Sequence, residues 1–207
     1  WSDGLDPGGA ILAMWSTTIT LDECIFEANA SGNHGGALAL SSGADVTATE
    51  CTFEANLAER GGGVSVRTST MTMIDCALDD NSAIEEGGHV WVDDSDCTIA
   101  GSAFSNGFAT ESGGAIFADS SDLTMTVCTA TNSTSSEGGV VYADGCDVLI
   151  DGSTFSFNTA NDIGRGGVLL MESGTDLILT DSTLQNNSAS YSGGAAWIAG
   201  NSSIEAS

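Results

Sequence analysis

Acidic side chains at recurring positions are the first candidates for chemistry in this sequence. Asp45, Asp96, Asp122, Asp147 and Asp176 align at one repeated position, and Asp93, Asp119, Asp144 and Glu172 recur a few residues before it. Stacked carboxylates repel unless a cation bridges them, and hard oxygen donors suit calcium. Calcium is therefore the metal to expect at Asp93, Asp96, Asp119, Asp122, Asp144 and Asp147. Capping of backbone N–H groups in a turn is the plainer reading of the same residues. High-salt adaptation accounts for the charge without any defined site. Apart from calcium no cofactor is expected. With His34 and His89 the only histidines and no CxxC pair, a zinc centre is not expected.

Catalysis needs groups that stand apart from a repeat. The only cations, Arg60, Arg67 and Arg165, fall in different repeats and are expected to form no cluster. A polysaccharide lyase would need such a base beside calcium-holding carboxylates. A glycosidase would need two carboxylates roughly 5–10 Å apart. Here the acids recur with the repeat, so no pair stands out. The expectation is a protein that is not an enzyme, with a lyase or glycosidase as the alternative.

Charge narrows the partners. In 207 residues there are 29 acids against 3 bases, a net charge of −26, yet charged residues are only 15% of the chain. Such a surface repels nucleic-acid phosphate and anionic lipid. A DNA-mimicking acidic rod is a further alternative. Hydrophobic residues reach 41%, too many for a disordered acidic tail. No apolar run approaches the ~18–20 residues of a membrane helix, so no membrane insertion is expected. Trp1-Ser2-Asp3-Gly4 does not read as a leader.

The elements that position these residues follow from a repeat. Glycine pairs stand at Gly8-Gly9, Gly35-Gly36, Gly62-Gly63, Gly87-Gly88, Gly113-Gly114, Gly138-Gly139, Gly166-Gly167 and Gly193-Gly194, with steps of 27, 27, 25, 26, 25, 28 and 27. A fixed period in this range marks a solenoid. Each pair is followed by a short apolar run, a polar turn, an alternating segment, then Cys or Ser and often an Asn. No segment holds a 3.6-residue period, and Gly or Ser interrupts every possible helical turn, so the elements are strands. The expected fold is an all-β parallel solenoid of 7–8 coils of ~26 residues, stacked ~4.8 Å apart. The glycine pairs mark corners that need positive φ or close backbone approach.

Within the alternating segment Val46, Ala48, Met71, Met73, Leu123, Met125, Val148, Ile150, Leu177 and Leu179 share one parity and should face inward. Thr20, Thr47, Thr72, Thr98 and Thr124 form the outward row; flat threonine rows can order water, but threonine is also a good strand residue. Asn29, Asn56, Asn81, Asn158 and Asn187 suit an internal amide ladder. Cys24, Cys51, Cys76 and Cys128 share a position with Ser102, Ser153 and Ser182. Free, stacked thiols are expected, with a Cys24–Cys51 or Cys51–Cys76 disulfide as the alternative, since stacking brings these pairs within disulfide range. Cys97 and Cys146 fall at other positions. Sequons at Asn132, Asn186 and Asn201 are candidate glycosylation sites.

Three residues after each glycine pair stand Leu12, Ala39, Val66, Trp91, Phe117, Tyr142, Leu170 and Trp197. If their neighbours face the core, Trp91, Phe117, Tyr142, Leu170 and Trp197 form an exposed contact stripe. The competing reading puts these aromatics inside, and Ser65 with Arg67 favours that reversed parity in one coil.

The alternation of Gly8-Gly9-Ala10-Ile11, Gly35-Gly36-Ala37-Leu38 and Gly113-Gly114-Ala115-Ile116 with Phe26–Asn29, Phe53–Asn56 and Phe155–Asn158 resembles the repeats of chlamydial polymorphic outer-membrane proteins. The resemblance covers essentially the whole chain. It implies a right-handed parallel β-helix of the pectin-lyase-like superfamily, displayed extracellularly on a cell surface and acting in adhesion. The absence of lysine departs from that family. The function expected is an adhesive or structural module, 1–207 being one array, a section of something longer or a unit that stacks end to end, since no polar cap is visible. Its partner would be a protein or glycan on another surface, or another copy in a fibre.

Overall fold

A computed structural model describes residues 8–162 and 164–207, so Trp1–Gly4 lie outside the described residues. Every described strand pairs in parallel with the equivalent strand one coil away, giving a β-solenoid of about eight turns. The coil from Gly113 shows the pattern: Ile116–Asp119, Asp122–Thr126, Thr129–Thr131 and Thr134–Ser135 lie in four successive sheets. The first and second sheets each have eight strands, the third seven and the fourth six. No described helix is long and apolar enough to cross a membrane.

The core is a narrow column. Val46, Ala48, Met71, Met73, Leu123, Met125, Val148, Ile150 and Leu177 are buried in it, with Leu179 packed against its edge. Phe53, Phe104 and Phe155 fill it from the third sheet. Thr20, Thr47, Thr72, Thr98 and Thr124 pair in register on the opposite side of the second sheet, where Leu149 and Ile178 continue the row.

The glycine corner has two distinct demands. Its first residue takes the left-handed region, as at Gly87 with φ 66°. A Cβ on its second residue would strike the next coil, as at Gly88, where it would lie 2.2 Å from the Gly114 carbonyl oxygen. In the third coil the residues meeting these demands are Gly61 and Gly62, not Gly62 and Gly63. Gly61 has φ 63°, and a Cβ on Gly62 would sit 2.4 Å from the Gly88 oxygen. Three consecutive glycines allow two placements, and strand pairing of Leu38, Val64 and Val90 selects the earlier one. Ser65 therefore replaces Val66 in the outward row, and Val64 and Val66 both join the core. The apparent reversal of parity there was a one-residue slip in reading the corner.

Three side-chain ladders tie the corners together. Asn56 donates from Nδ2 to Asn81 Oδ1 at 2.9 Å and to the Phe26 carbonyl at 2.9 Å, while Asn29 donates to Asn56. Asn158 and Asn187 repeat the bond at 3.0 Å. Between these segments stand Gly107 and Ser133, and His89 fills the gap: a Cβ on Gly107 would lie 2.5 Å from its Nε2. Asn81 Nδ2 lies 3.0 Å from His89 Nδ1. An amide N–H donates, so Nδ1 is the acceptor and Nε2 carries the proton. His89 thus supplies the acceptor that the absent next asparagine would have offered.

The second ladder is the Cys and Ser row. Cys24, Cys76 and Cys128 donate their backbone N–H to Cys51 Sγ, Ser102 Oγ and Ser153 Oγ at 3.4, 3.0 and 3.0 Å. The third runs through Ser69, Ser95, Ser121, Cys146, Thr175 and Ser202, each side chain accepting from the backbone of the coil before it. All six cysteines are free thiols.

Candidate functional site

The face that departs most from the repeat is the outer side of the first sheet. Strands Val90–Asp93, Ile116–Asp119, Val141–Asp144, Leu169–Glu172 and Ala196–Ile198 send their alternate residues into the core. The remaining parity carries Leu12, Ala39, Ser65, Trp91, Phe117, Tyr142, Leu170 and Trp197 in unbroken register.

This row lies outside the core, yet it is not an open stripe. Trp91 and Phe117 retain only 7% and 9% exposure and Leu170 none, while Tyr142 and Trp197 are half-buried. The rings cover one another. Trp91 stacks on Phe117 with centroids 6.5 Å apart and planes 7° apart, and Phe117 stacks on Tyr142 at 5.1 Å and 5°. The small Ala39 and Ser65 leave room at the other end, where the His34 ring lies 4.9 Å from Trp91. Both sequence expectations thus need correcting, because the parity is outward but the surface is a second, external packing layer.

A charged rim closes the layer. His34, Arg60, Glu86, Ser112, Glu137, Arg165 and Ser192 occupy the position just before the glycine corner, held by single bridges between coils. Arg60 pairs with Glu85 and, at 3.3 Å, with Glu86, whose Oε2 also accepts from Trp91 Nε1 at 3.1 Å. Arg165 Nε donates to Glu137 Oε1 at 2.7 Å, Nη1 reaches Glu172 at 3.6 Å, and the guanidinium lies 4.4 Å over the Trp197 ring. Tyr142 donates its hydroxyl to Glu172 Oε2 at 2.9 Å. On the opposite rim Arg67 Nε meets Asp93 at 3.2 Å. All three cations flank one face, each in its own ion pairs: Arg60 and Arg67 lie on opposite rims and Arg165 four coils further on, so they form no cluster. Stacking brings together residues that lie dozens of positions apart in the chain.

The longest step of the array, from Gly138 to Gly166, belongs here too. Arg165 stands five residues after the fourth-sheet strand ending at Ala160, whereas Ser192 stands three after Ala189. The place where the repeat is interrupted thus delivers the guanidinium that clasps Trp197.

Electrostatics on this face follow burial. Burial raises the Glu86 carboxyl, against the Trp91 hydrogen bond and the Arg60 charge, which lower it. Burial also raises the Tyr142 phenol, reinforced by the bond and charge of Glu172. Five of the thiols are weak nucleophiles, since burial pushes Cys97 up to about 12 and Cys146 up to about 11, and raises Cys51, Cys76 and Cys128, whereas Cys24 is half-exposed.

The carboxylate rows lie around the next corner. Asp96, Asp122, Asp147 and Asp176 pair in register, with Thr70 separating them from Asp45. Asp93, Asp119, Asp144 and Glu172 form the companion row, one rim of the aromatic layer. In-register pairing sets these groups side by side and does not converge them on a point. No group of three His, Cys, Asp or Glu that could hold a metal occurs among the described residues. Asn132, Asn186 and Asn201 are exposed corner residues in the left-handed region, with φ of 56°, 56° and 66°.

Family comparison agrees with the architecture. A family model described as a right-handed β-helix region matches residues 4–104 and 36–207, nearly the whole chain. The chain belongs to the right-handed β-helix family. No curated protein matches it, and no solved structure does. Family membership gives the solenoid its hand, and it leaves the activity open, since function resides in sites carried by a fold.

Proposed function

We propose that this β-helix is a non-catalytic adhesive or structural module of an extracellular surface protein or fibre. Its contact face is the outer edge of the aromatic layer, where Tyr142, Trp197 and the arginine rim meet solvent and are held in place by the buried Trp91, Phe117 and Leu170, and its partner is a protein or glycan on another surface. The observation that carries the reading is pairing: the arginines, the polar ring atoms and the glutamates beside them are engaged with one another. Glu86 holds Trp91 and Arg60, Glu172 holds Tyr142 and Arg165, and Glu137 holds Arg165. A set so paired makes a rigid, preformed surface, and rigidity lowers the entropic cost of contact. The likeness to chlamydial outer-membrane repeats supports display at a cell surface. Calcium along the aspartate rows, glycans at Asn132, Asn186 and Asn201, and self-association are parts of the same proposal.

Binding of the purified chain to immobilised glycans and host-cell proteins tests it. Retention that is lost in both Trp197→Ala and Arg165→Gln variants is the expected result; unchanged retention in both overturns the assignment of the face. One observation favours a second reading, a polysaccharide-active enzyme, namely the raised Glu86 carboxyl beside Glu85 and Glu111. Release of new reducing ends from neutral polysaccharides, abolished by Glu86→Gln, would replace adhesion with catalysis.

A further inference from the structure

We propose that Cys24 and Cys51 form a covalent clip between adjacent coils when the protein meets a low-molecular-weight disulfide of the oxidised-glutathione class. The flanking strands fix the pair: Asp22 is in register with Thr49 before it, and Ile25 with Thr52 after it. In-register neighbours have Cα atoms ~4.8 Å apart, inside the ~4.4–6.8 Å range of disulfides. Cys24 N–H already contacts Cys51 Sγ at 3.4 Å. Cys24 is half-exposed, whereas Cys51 and Cys76 are buried, so only Cys24 is open to a reagent.

The step is an exchange. The Cys24 thiolate attacks one sulfur of the reagent, whose S–S bond breaks and expels the first thiolate. The Cys51 thiolate then attacks Cys24 Sγ in the mixed disulfide and expels the second. Two protein thiols become one disulfide, the reagent becomes two thiols, and the protons pass to those leaving groups. Burial raises the Cys51 thiol, so the second attack is slow and should quicken about tenfold per pH unit below that thiol's pKa.

The folded full chain is incubated with oxidised glutathione, quenched by alkylation, unfolded and cleaved after glutamate. Glu23, Glu27, Glu50 and Glu54 bracket the two cysteines, so the clip joins peptides 24–27 and 51–54. The expected result is that linked species, two hydrogens lighter than its parts and reversed by dithiothreitol. Cys51→Ser should remove it and leave Cys24 with a lasting glutathione adduct, and Cys76→Ser should leave it intact. Serine already occupies this row at Ser102, Ser153 and Ser182, so both variants suit the fold. An unmodified Cys24, a lasting mixed disulfide in the unsubstituted chain, or a Cys51–Cys76 link overturns the proposal.

Discussion

Acidification is the perturbation whose effect can be worked furthest from the structure. His89 is fully buried, and its imidazole pKa is lowered from 6.5 to about 3, because burial penalises the cation more than Asp79 and the Ser105 backbone favour it. The unfolded chain therefore takes up the proton first. Stability from this group is complete above the unfolded value and falls as pH drops through the window between 6.5 and about 3. One proton gives a slope of about 1.4 kcal/mol per pH unit, or roughly 5 kcal/mol across the window. The geometry says what fails: a protonated Nδ1 would point a second donor at Asn81 Nδ2, which already donates to it. The assay is urea unfolding between pH 7.5 and 5, where most carboxylates stay ionised. The quantity read is the difference between the unsubstituted chain and His89→Gln, which keeps an uncharged acceptor and cancels the contribution of His34. The unsubstituted chain should lose stability about 1.4 kcal/mol per unit faster than the variant below pH 6. Equal slopes would refute the assignment of His89 as a neutral ladder member.

Other outcomes follow from the same packing. Gly62→Ala should cost more than about 3 kcal/mol or prevent folding, because its Cβ would meet the Gly88 and Ser82 carbonyl oxygens at 2.4 Å. Gly63→Ala, whose nearest contact is 3.0 Å, should cost about 1 kcal/mol, and chemical denaturation distinguishes the two. Asn81→Ala should lose about 3 kcal/mol by leaving the Phe53 carbonyl and the Asn56 amide groups without a partner, while the half-buried Asn29→Ala should lose about 1. With a net charge of −26, the thermal midpoint should rise from 10 mM to 500 mM sodium chloride as self-repulsion is screened; a flat response would locate the destabilising terms elsewhere.

Much of the fold was legible in the sequence because each coil repeats the same physical constraints. The glycine corners, the alternation of Met71 and Met73 with Thr72, and the recurrence of Phe-x-x-Asn all fix a coil length and a face. The slip at Gly61-Gly62-Gly63 arose where three equal residues left the register to be decided by strand pairing. The serine ladder escaped notice because Ser69, Ser95 and Ser121 share their row with Cys146 and Thr175, and serine is common everywhere in the chain. His89 left one signal, a glycine at 107 where an asparagine belongs. The rim of the aromatic layer was not legible at all. Arg165 and Glu137 are separated by a whole coil, and only stacking shows that the three cations share a face.

The account rests on parallel coils in register, and amide-to-amide nuclear Overhauser effects measure that directly. The amide of Leu123 should show contacts to the neighbourhoods of Cys97 and Val148, 26 and 25 positions away, and the same pattern should recur along the second sheet. Contacts typical of antiparallel hairpins, or sequential ones three residues apart, would contradict the stacked-coil structure and with it the ladders and the external aromatic layer.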